Sequence, residues 1–279
     1  MRIHLLGTRG SLPTPGPDFV RYGGNTSCVA ISHDGDTPVL MLDAGTGLAN
    51  AARILAGQPF IGSILLGHLH WDHVYGLPFF RPGDHVDARV DVYVPEQGDP
   101  IAALDRVMSP PIFPIDIRRL RGEWNIRSLE PGTSSIEGFE VLALEIPHKG
   151  GRSFGYRIDD GNTSLAYLSD HSPVSLGSGP YGNGAHHEAA LRLVENVDLL
   201  IHDSQYRPEE FAERSDWGHC SFEYPIGLAK AANVKRTLLF HHDPGRTDSQ
   251  LDAMAARLDD PSIEFAVEGS TIDLTAIDG

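Results

Sequence analysis

The stretch His68-Leu69-His70-Trp71-Asp72-His73 crowds three imidazoles and one carboxylate into six residues. Just upstream, Ile61-Gly62-Ser63-Ile64-Leu65-Leu66-Gly67 is a short apolar run with the length and flanking glycines of a buried strand. The polar cluster therefore begins on a loop where a strand ends. Imidazole nitrogens and a carboxylate suit zinc or a similar transition ion, and this density of donors points to two ions rather than one. Further candidate ligands also follow strand-like runs: His148 comes after Ile146-Pro147 and Asp170 after Tyr167-Leu168-Ser169. With His68 and His70 they compose a first metal site.

Working outward, residues 39–42 read as a strand that ends at Asp43-Ala44-Gly45-Thr46-Gly47-Leu48, from which a helix runs through Leu55. Asp43 is either the buttress of a metal ligand or a plain turn former. Residues 2–7 and the block 22–32 supply earlier strands, separated by a glycine-rich turn at 7–13. Beyond the cluster, residues 76–80 begin a short helix and 90–94 form a strand. Residues 95–131 are the least regular part, and three prolines between 110 and 114 forbid a regular helix or a central strand there. The segment 108–114 is either an active-site wall or a surface connection. Strands follow at 139–146, 153–158 and 164–168, with Asp159-Asp160-Gly161-Asn162 as a hairpin turn. A helix over 186–195 precedes a strand at 197–201. Ser221 caps a helix through Ala232, 237–240 is a strand, and Thr247 or Asp248 caps a helix to Leu258.

The whole chain has 279 residues, 41% apolar and 22% charged, the composition of a folded globular protein. No apolar run approaches the roughly 18 residues of a membrane span, which predicts no membrane partner. The opening Met1-Arg2-Ile3-His4-Leu5-Leu6-Gly7-Thr8-Arg9-Gly10 has too short an apolar stretch for a signal peptide, so a cytoplasmic location is expected. Two cysteines, Cys28 and Cys220, are too few for a disulfide framework. Cys220 lies beside His219, and an inert buried thiol is weighed there against a metal-binding or nucleophilic one. The net charge of −16, with 38 acidic residues against 22 Lys and Arg, argues against a large nucleic acid as the main partner. A small anionic ligand remains compatible, because two bound dications would reverse the sign locally. A homodimer is left open.

The spacing H-x-H-x-D-H is the signature of the metallo-β-lactamase superfamily, which this chain resembles. Gly7-Thr8-Arg9-Gly10-Ser11, Tyr22-Gly23-Gly24-Asn25-Thr26-Ser27 and Leu42-Asp43-Ala44-Gly45-Thr46-Gly47 are similar to the ribonuclease Z and cyclic nucleotide phosphodiesterase branch. The resemblance extends from Gly7 to Pro244. It implies an α+β fold, an αββα sandwich of two packed mixed β-sheets flanked by helices, expected as a single domain over residues 1–279. It also implies that Asp170 bridges two ions and that Asp72, His73 and His241 serve the second. His241 is chosen over His242 because Leu238-Leu239-Phe240-His241-His242-Asp243-Pro244 resembles the ribonuclease Z pattern, in which the ligand His ends a strand and Pro follows three positions later. His242, His171 and His202 are expected as supporting or turn residues. His186 and His187 are expected to face solvent, and His4, His33 and His85 to lack clustered partners.

Two further blocks, Ile201-His202-Asp203-Ser204-Gln205-Tyr206 and Trp217-Gly218-His219-Cys220-Ser221, correspond to ribonuclease Z segments whose acid and His act on the substrate phosphate. Asp203 stands where ribonuclease Z has Glu, and Cys220-Ser221 replaces Ser-Thr. The implied catalytic set is Asp72, Asp203 and His219, with a structural Asp-His pair as the alternative for the last two. The implied reaction is phosphodiester hydrolysis with two divalent ions, Zn2+ first and Mn2+ or Fe2+ as alternatives. The expected substrate is a small phosphodiester such as a cyclic nucleotide. Precursor tRNA is the nearest rival, set back because ribonuclease Z projects a Gly/Pro-rich basic arm, whereas residues 171–186 are Gly-rich without Lys or Arg. Lactone or lactam hydrolysis on the same scaffold, and a non-enzymatic metal-stabilised protein, complete the alternatives.

Overall fold

The computed structural model describes residues 1–172 and 185–276; most of the glycine-rich stretch set against a tRNA-binding arm lies outside the described residues. Buried β-branched and leucine runs form the strands. The first sheet contains β1 (Arg2–Gly7), β2 (Cys28–Ser32), β3 (Leu40–Leu42), β4 (Ile61–Leu65), β5 (Arg89–Pro95) and β6 (Glu123–Leu129). The second contains β7 (Gly132–Ile136), β8 (Phe139–Ile146), β9 (Ser153–Asp159), β10 (Ser164–Leu168), β11 (Leu199–Asp203), β12 (Arg236–Phe240) and β13 (Ile263–Phe265). The chain then returns to the first sheet as β14 (Thr271–Asp273), antiparallel to β1 with Ile3 opposite Ile272. Strands β3 to β6 are mutually parallel, as are β10 to β13, while the other pairs are antiparallel. Both sheets are thus mixed, as expected.

The sheets face each other across a core that includes Ile3, Leu5, Val29, Leu42 and Leu65 from one side and Phe139, Tyr156, Tyr167, Ile201 and Phe240 from the other. On the outer face of the first sheet, α1 (Ala51–Ile54), α2 (Trp71–Val74) and α3 (Pro100–Asp105) cover Ala30, Met41, Ile64 and Val90. The second sheet is covered by α4 (Glu188–Val194) and, after α5 (Pro208–Arg214), by α6 (Glu223–Ala231); α7 (Asp248–Ala255) packs on β12 and β13. This is the αββα sandwich. Strands covered on both faces are buried without interruption, as in β2, β3, β10 and β11. No helix among the described residues is long and apolar enough to cross a membrane.

Several elements depart from expectation. The supposedly irregular 95–131 region contains α3 and β6. The carboxylate of Asp99 caps α3 by accepting from the amides of Ile101 and Ala102. Strand β6 is a partly exposed edge, and of Glu123-Trp124-Asn125-Ile126-Arg127-Ser128-Leu129 only Trp124, Ile126 and Leu129 are apolar, a weak signal among charged and polar neighbours. Helix α6 begins after Phe222 with no side-chain cap, so Ser221 does not play that part; it bridges to Tyr206 instead. Thr247 does cap α7 through a reciprocal pair with Gln250, although the helix ends at Ala255 rather than Leu258.

Candidate dinuclear metal centre

Parallel strands bring their carboxyl ends to one rim of the sandwich, and the chemistry collects there. Residues 68–73 follow β4, His148 follows β8, Asp170 follows β10, Asp203 ends β11 and His241 follows β12. His68, His70, His148 and Asp170 form one convergent set, and Asp72, His73, Asp170 and His241 another, each with donor atoms within 4.8 Å of one another. Asp170 belongs to both. Its Oδ2 lies 3.7 Å from His68 Nε2 and 3.6 Å from His148 Nε2, while its Oδ1 lies 3.1 Å from both His73 Nε2 and His241 Nε2. The two oxygens of one carboxylate therefore address different nitrogen sets.

Donor chemistry fits metal ions. His68 Nε2, His73 Nε2 and Asp170 Oδ1 are buried without a hydrogen-bond partner, an arrangement that lone pairs converging on a cation would satisfy. Burial pushes the His68 imidazole well below its usual range and brings His148 down to about 4, which keeps both nitrogens free to bind. Burial opposes ionisation of Asp170, but His241, His73 and His68 hold its carboxyl well below the ordinary range. His70 turns the other way from its neighbours, presenting Nδ1 at 3.2 Å from His148 Nε2.

The far nitrogens are gripped by groups that fix each ring. His73 Nδ1 bonds Asp43 Oδ2 at 2.8 Å, and that same oxygen accepts from Tyr167 Oη at 2.7 Å and Ser169 Oγ at 2.9 Å. Asp43 Oδ1 accepts from Gly67 N at 2.7 Å, tying the start of the cluster to the same side chain. Asp43 is thus a buttress, not merely a turn former. His148 Nδ1 donates to Gly218 O at 2.6 Å, and His241 Nδ1 to Gln205 Oε1 at 2.9 Å. Ser11 N donates to Asp72 Oδ2 at 2.8 Å. Sequence reasoning did not single out Gln205, Gly218 or Ser11 for these roles, because they act through positions distant in the chain.

Residues 39–242, well over half of the chain, match a family described as a beta-lactamase superfamily domain. The chain belongs to the metallo-β-lactamase superfamily. Within that superfamily it is a metal-dependent hydrolase of the ribonuclease Z and phosphodiesterase-like branch. It is similar to a ribonuclease Z of Methanosarcina acetivorans, 27% identical with 89% of each chain covered. Among solved structures it resembles the metallo-beta-lactamase fold protein YhfI from Bacillus subtilis, with TM-score 0.72, 17% identity and coverage of 98% of this chain and 99% of that one. It also resembles human tRNase Z, short form, with TM-score 0.69, 19% identity and coverage of 98% and 99%.

Beside the superfamily's cluster stands the Asp203–His219 pair. His219 Nδ1 lies 2.8 Å from Asp203 Oδ2 and 3.8 Å from Asp170 Oδ2, and its ring stacks 4.9 Å from that of His241. Burial disfavours its charge, but Asp203, with Asp170 and Asp72 behind it, raises the imidazole to about 9. Cys220 is buried, points its thiol at Asp203 O at 3.2 Å, and is pushed up by burial; it is an inert thiol. His242 is fully interior, with Nε2 on Ala266 O at 2.8 Å. His171 and His202 bond each other at 3.1 Å. His186 and His187 are half-buried rather than solvent-facing, and His187 caps α4.

Two cavities meet at this point. One, of about 340 Å³, is lined by Ser11, Leu69, His70, Trp71, Asp72, Asp170 and His219. The other, of about 530 Å³, shares Ser11 and His219 with it and extends toward Arg214 and Trp217. A further cavity, of about 260 Å³, lies behind His70 and is walled by Ala103, Arg106 and Val107. That wall comes from α3 and the turn after it, whereas Phe113 of the proline-rich segment packs on Phe79 at 5.9 Å.

Proposed function

We propose that this chain, acting as one catalytic domain in the cytoplasm, hydrolyses a small phosphodiester such as a cyclic nucleotide or a related cyclic phosphate. The observation that carries the reading is the Asp203–His219 pair, which borders the cavities next to the two ligand sets. His68, His70, His148 and Asp170 would hold one ion, and Asp72, His73, Asp170 and His241 the other, with Zn2+ preferred over Mn2+ or Fe2+. Bound there, two divalent ions supply Lewis-acid charge for phosphate oxygens and make water nucleophilic near neutral pH.

The chain's own residues do the rest. Asp72, pinned by the Ser11 amide, orients the attacking water. Asp203 fixes His219 Nδ1, so the imidazole donates its other proton to the departing alkoxide. Leu69 and Trp71 flank the ligands at the mouth of the cavity. A net charge of −16 and cavities of 340 and 530 Å³ favour a small anion over a polynucleotide. The second reading, cleavage of precursor tRNA, is supported by relatives named ribonuclease Z that align with nearly the whole chain.

A turnover panel on Zn2+-loaded and Mn2+-loaded protein decides between them: cyclic mononucleotides, an aryl phosphodiester, precursor tRNA and a chromogenic β-lactam. Cleavage of the small diesters without the β-lactam is expected. Turnover of tRNA alone installs the second reading, and lactam turnover without diesterase activity overturns both.

A further inference from the structure

Of the two cavities meeting at His219, only the smaller is needed to seat a phosphate. The larger has a different character. Its wall is layered: the fully buried Tyr206 ring, then the Arg214 guanidinium with its carbon 5.5 Å from the ring centroid, then the Trp217 indole 5.6 Å from that same carbon. Arg214 is anchored by Asp243 Oδ2 at 3.0 Å, so the middle layer is held in place. The backbone bond from Trp217 N to Arg214 O, 2.9 Å, ties the main chain of Trp217 to the end of α5. Yet Trp217 remains 59% exposed.

An indole set beside an anchored guanidinium and left this bare is a surface on which a planar ring gains both apolar contact and π stacking. Ser11 and His219 line both this cavity and the one over Asp72 and Asp170, so the indole borders a space continuous with the ligand cluster. We propose that Trp217 is the stacking platform for the nucleobase of a nucleoside phosphodiester, with Arg214 and Tyr206 as its rigid backing. This rests on the phosphodiesterase reading and narrows it to substrates that carry a base. The site selects for a base in general rather than for one base, because stacking reads a π face and not a hydrogen-bond pattern.

The test is calorimetric titration of the metal-loaded protein with AMP and, separately, with ribose phosphate, for wild type, Trp217→Ala and Trp217→Phe. Wild type should bind AMP about tenfold or more tightly than ribose phosphate, the scale of one base stacked on an aromatic side chain. Trp217→Ala should bind the two alike, with ribose phosphate affinity unchanged, and Trp217→Phe should keep most of the preference. The side chain is largely exposed, so its removal leaves the fold intact, which circular dichroism verifies. No preference for AMP in the wild type, or a preference that survives Trp217→Ala, overturns the platform. Hydrolysis of an aryl phosphodiester by the wild type is recorded alongside. If that activity is present and the AMP preference absent, only the platform fails; if it is absent, the phosphodiesterase reading fails as well.

Discussion

Asp170 carries the greatest chemical weight of any single residue, because its two oxygens lie 3.1 Å from nitrogens of one set and 3.6 to 3.7 Å from nitrogens of the other. Asp170→Asn is expected to lower occupancy at both sites, read by elemental analysis of protein purified without chelator; loss of one ion alone would contradict bridging. His219 is the complementary case. It belongs to neither four-residue set built on Asp170, so His219→Ala should retain two ions while lowering kcat about 10²-fold on a diester with a poor leaving group. Asp203→Ala acts through the same imidazole, and the double variant should be little slower than the worse single one. The deficit should shrink with nitrophenolate as leaving group, which needs little protonation. Equal impairment on both leaving groups would leave only phosphate positioning to His219.

At the level of elements, the turns at strand ends do the placing. A Cβ on Gly10 would stand 2.4 Å from His241 Nδ1 and 3.0 Å from Gln205 Oε1, so the loop after β1 packs directly on the pair that orients this ligand. Gly10→Ala should therefore deplete the second ion, leaving a metal content near one per chain with the circular dichroism spectrum unchanged; full occupancy would show that the loop yields. Helix α5 is tied to the loop after β12 through Glu210, which accepts from Arg207 and from Arg246 Nη1 at 3.1 Å. Burial opposes its ionisation, but Arg246 and Arg207 lower its carboxyl from 4.5 to about 2. A carboxyl depressed on folding adds stability that is full above its unfolded value and is lost as pH falls toward its folded one. Glu210→Gln should thus melt earlier than wild type at pH 7, with the gap beginning to close below 4.5 in thermal melts across pH.

For the molecule as a whole, both sheets contribute ligands to one rim, so cations bound there would clamp the sandwich. Chelation should lower the melting temperature by roughly 10 °C or more, reversed by adding back Zn2+ or Mn2+. An unchanged melt after verified metal loss would make the cluster irrelevant to stability. The sequence by itself determined the local chemistry, H-x-H-x-D-H after a buried strand and His148 and Asp170 at later strand ends, because each is encoded by neighbours in the chain, while the two-sheet sandwich followed from the resemblance. It did not reveal β6 or β7, edge strands in which polar residues outnumber apolar ones. Nor did it separate the two roles open to Asp43, or point to Gln205 and Gly218 as ring anchors. Only the tertiary structure decided those, since a hydrogen bond from Tyr167 to Asp43 spans 124 positions of chain and one from His148 to Gly218 spans 70. The sharing of Asp170 between two nitrogen sets is implied by the resemblance, but which oxygen serves which set is not. Which way a carboxylate's two oxygens face is set by the packing of one sheet on the other, and no local pattern of residues encodes it.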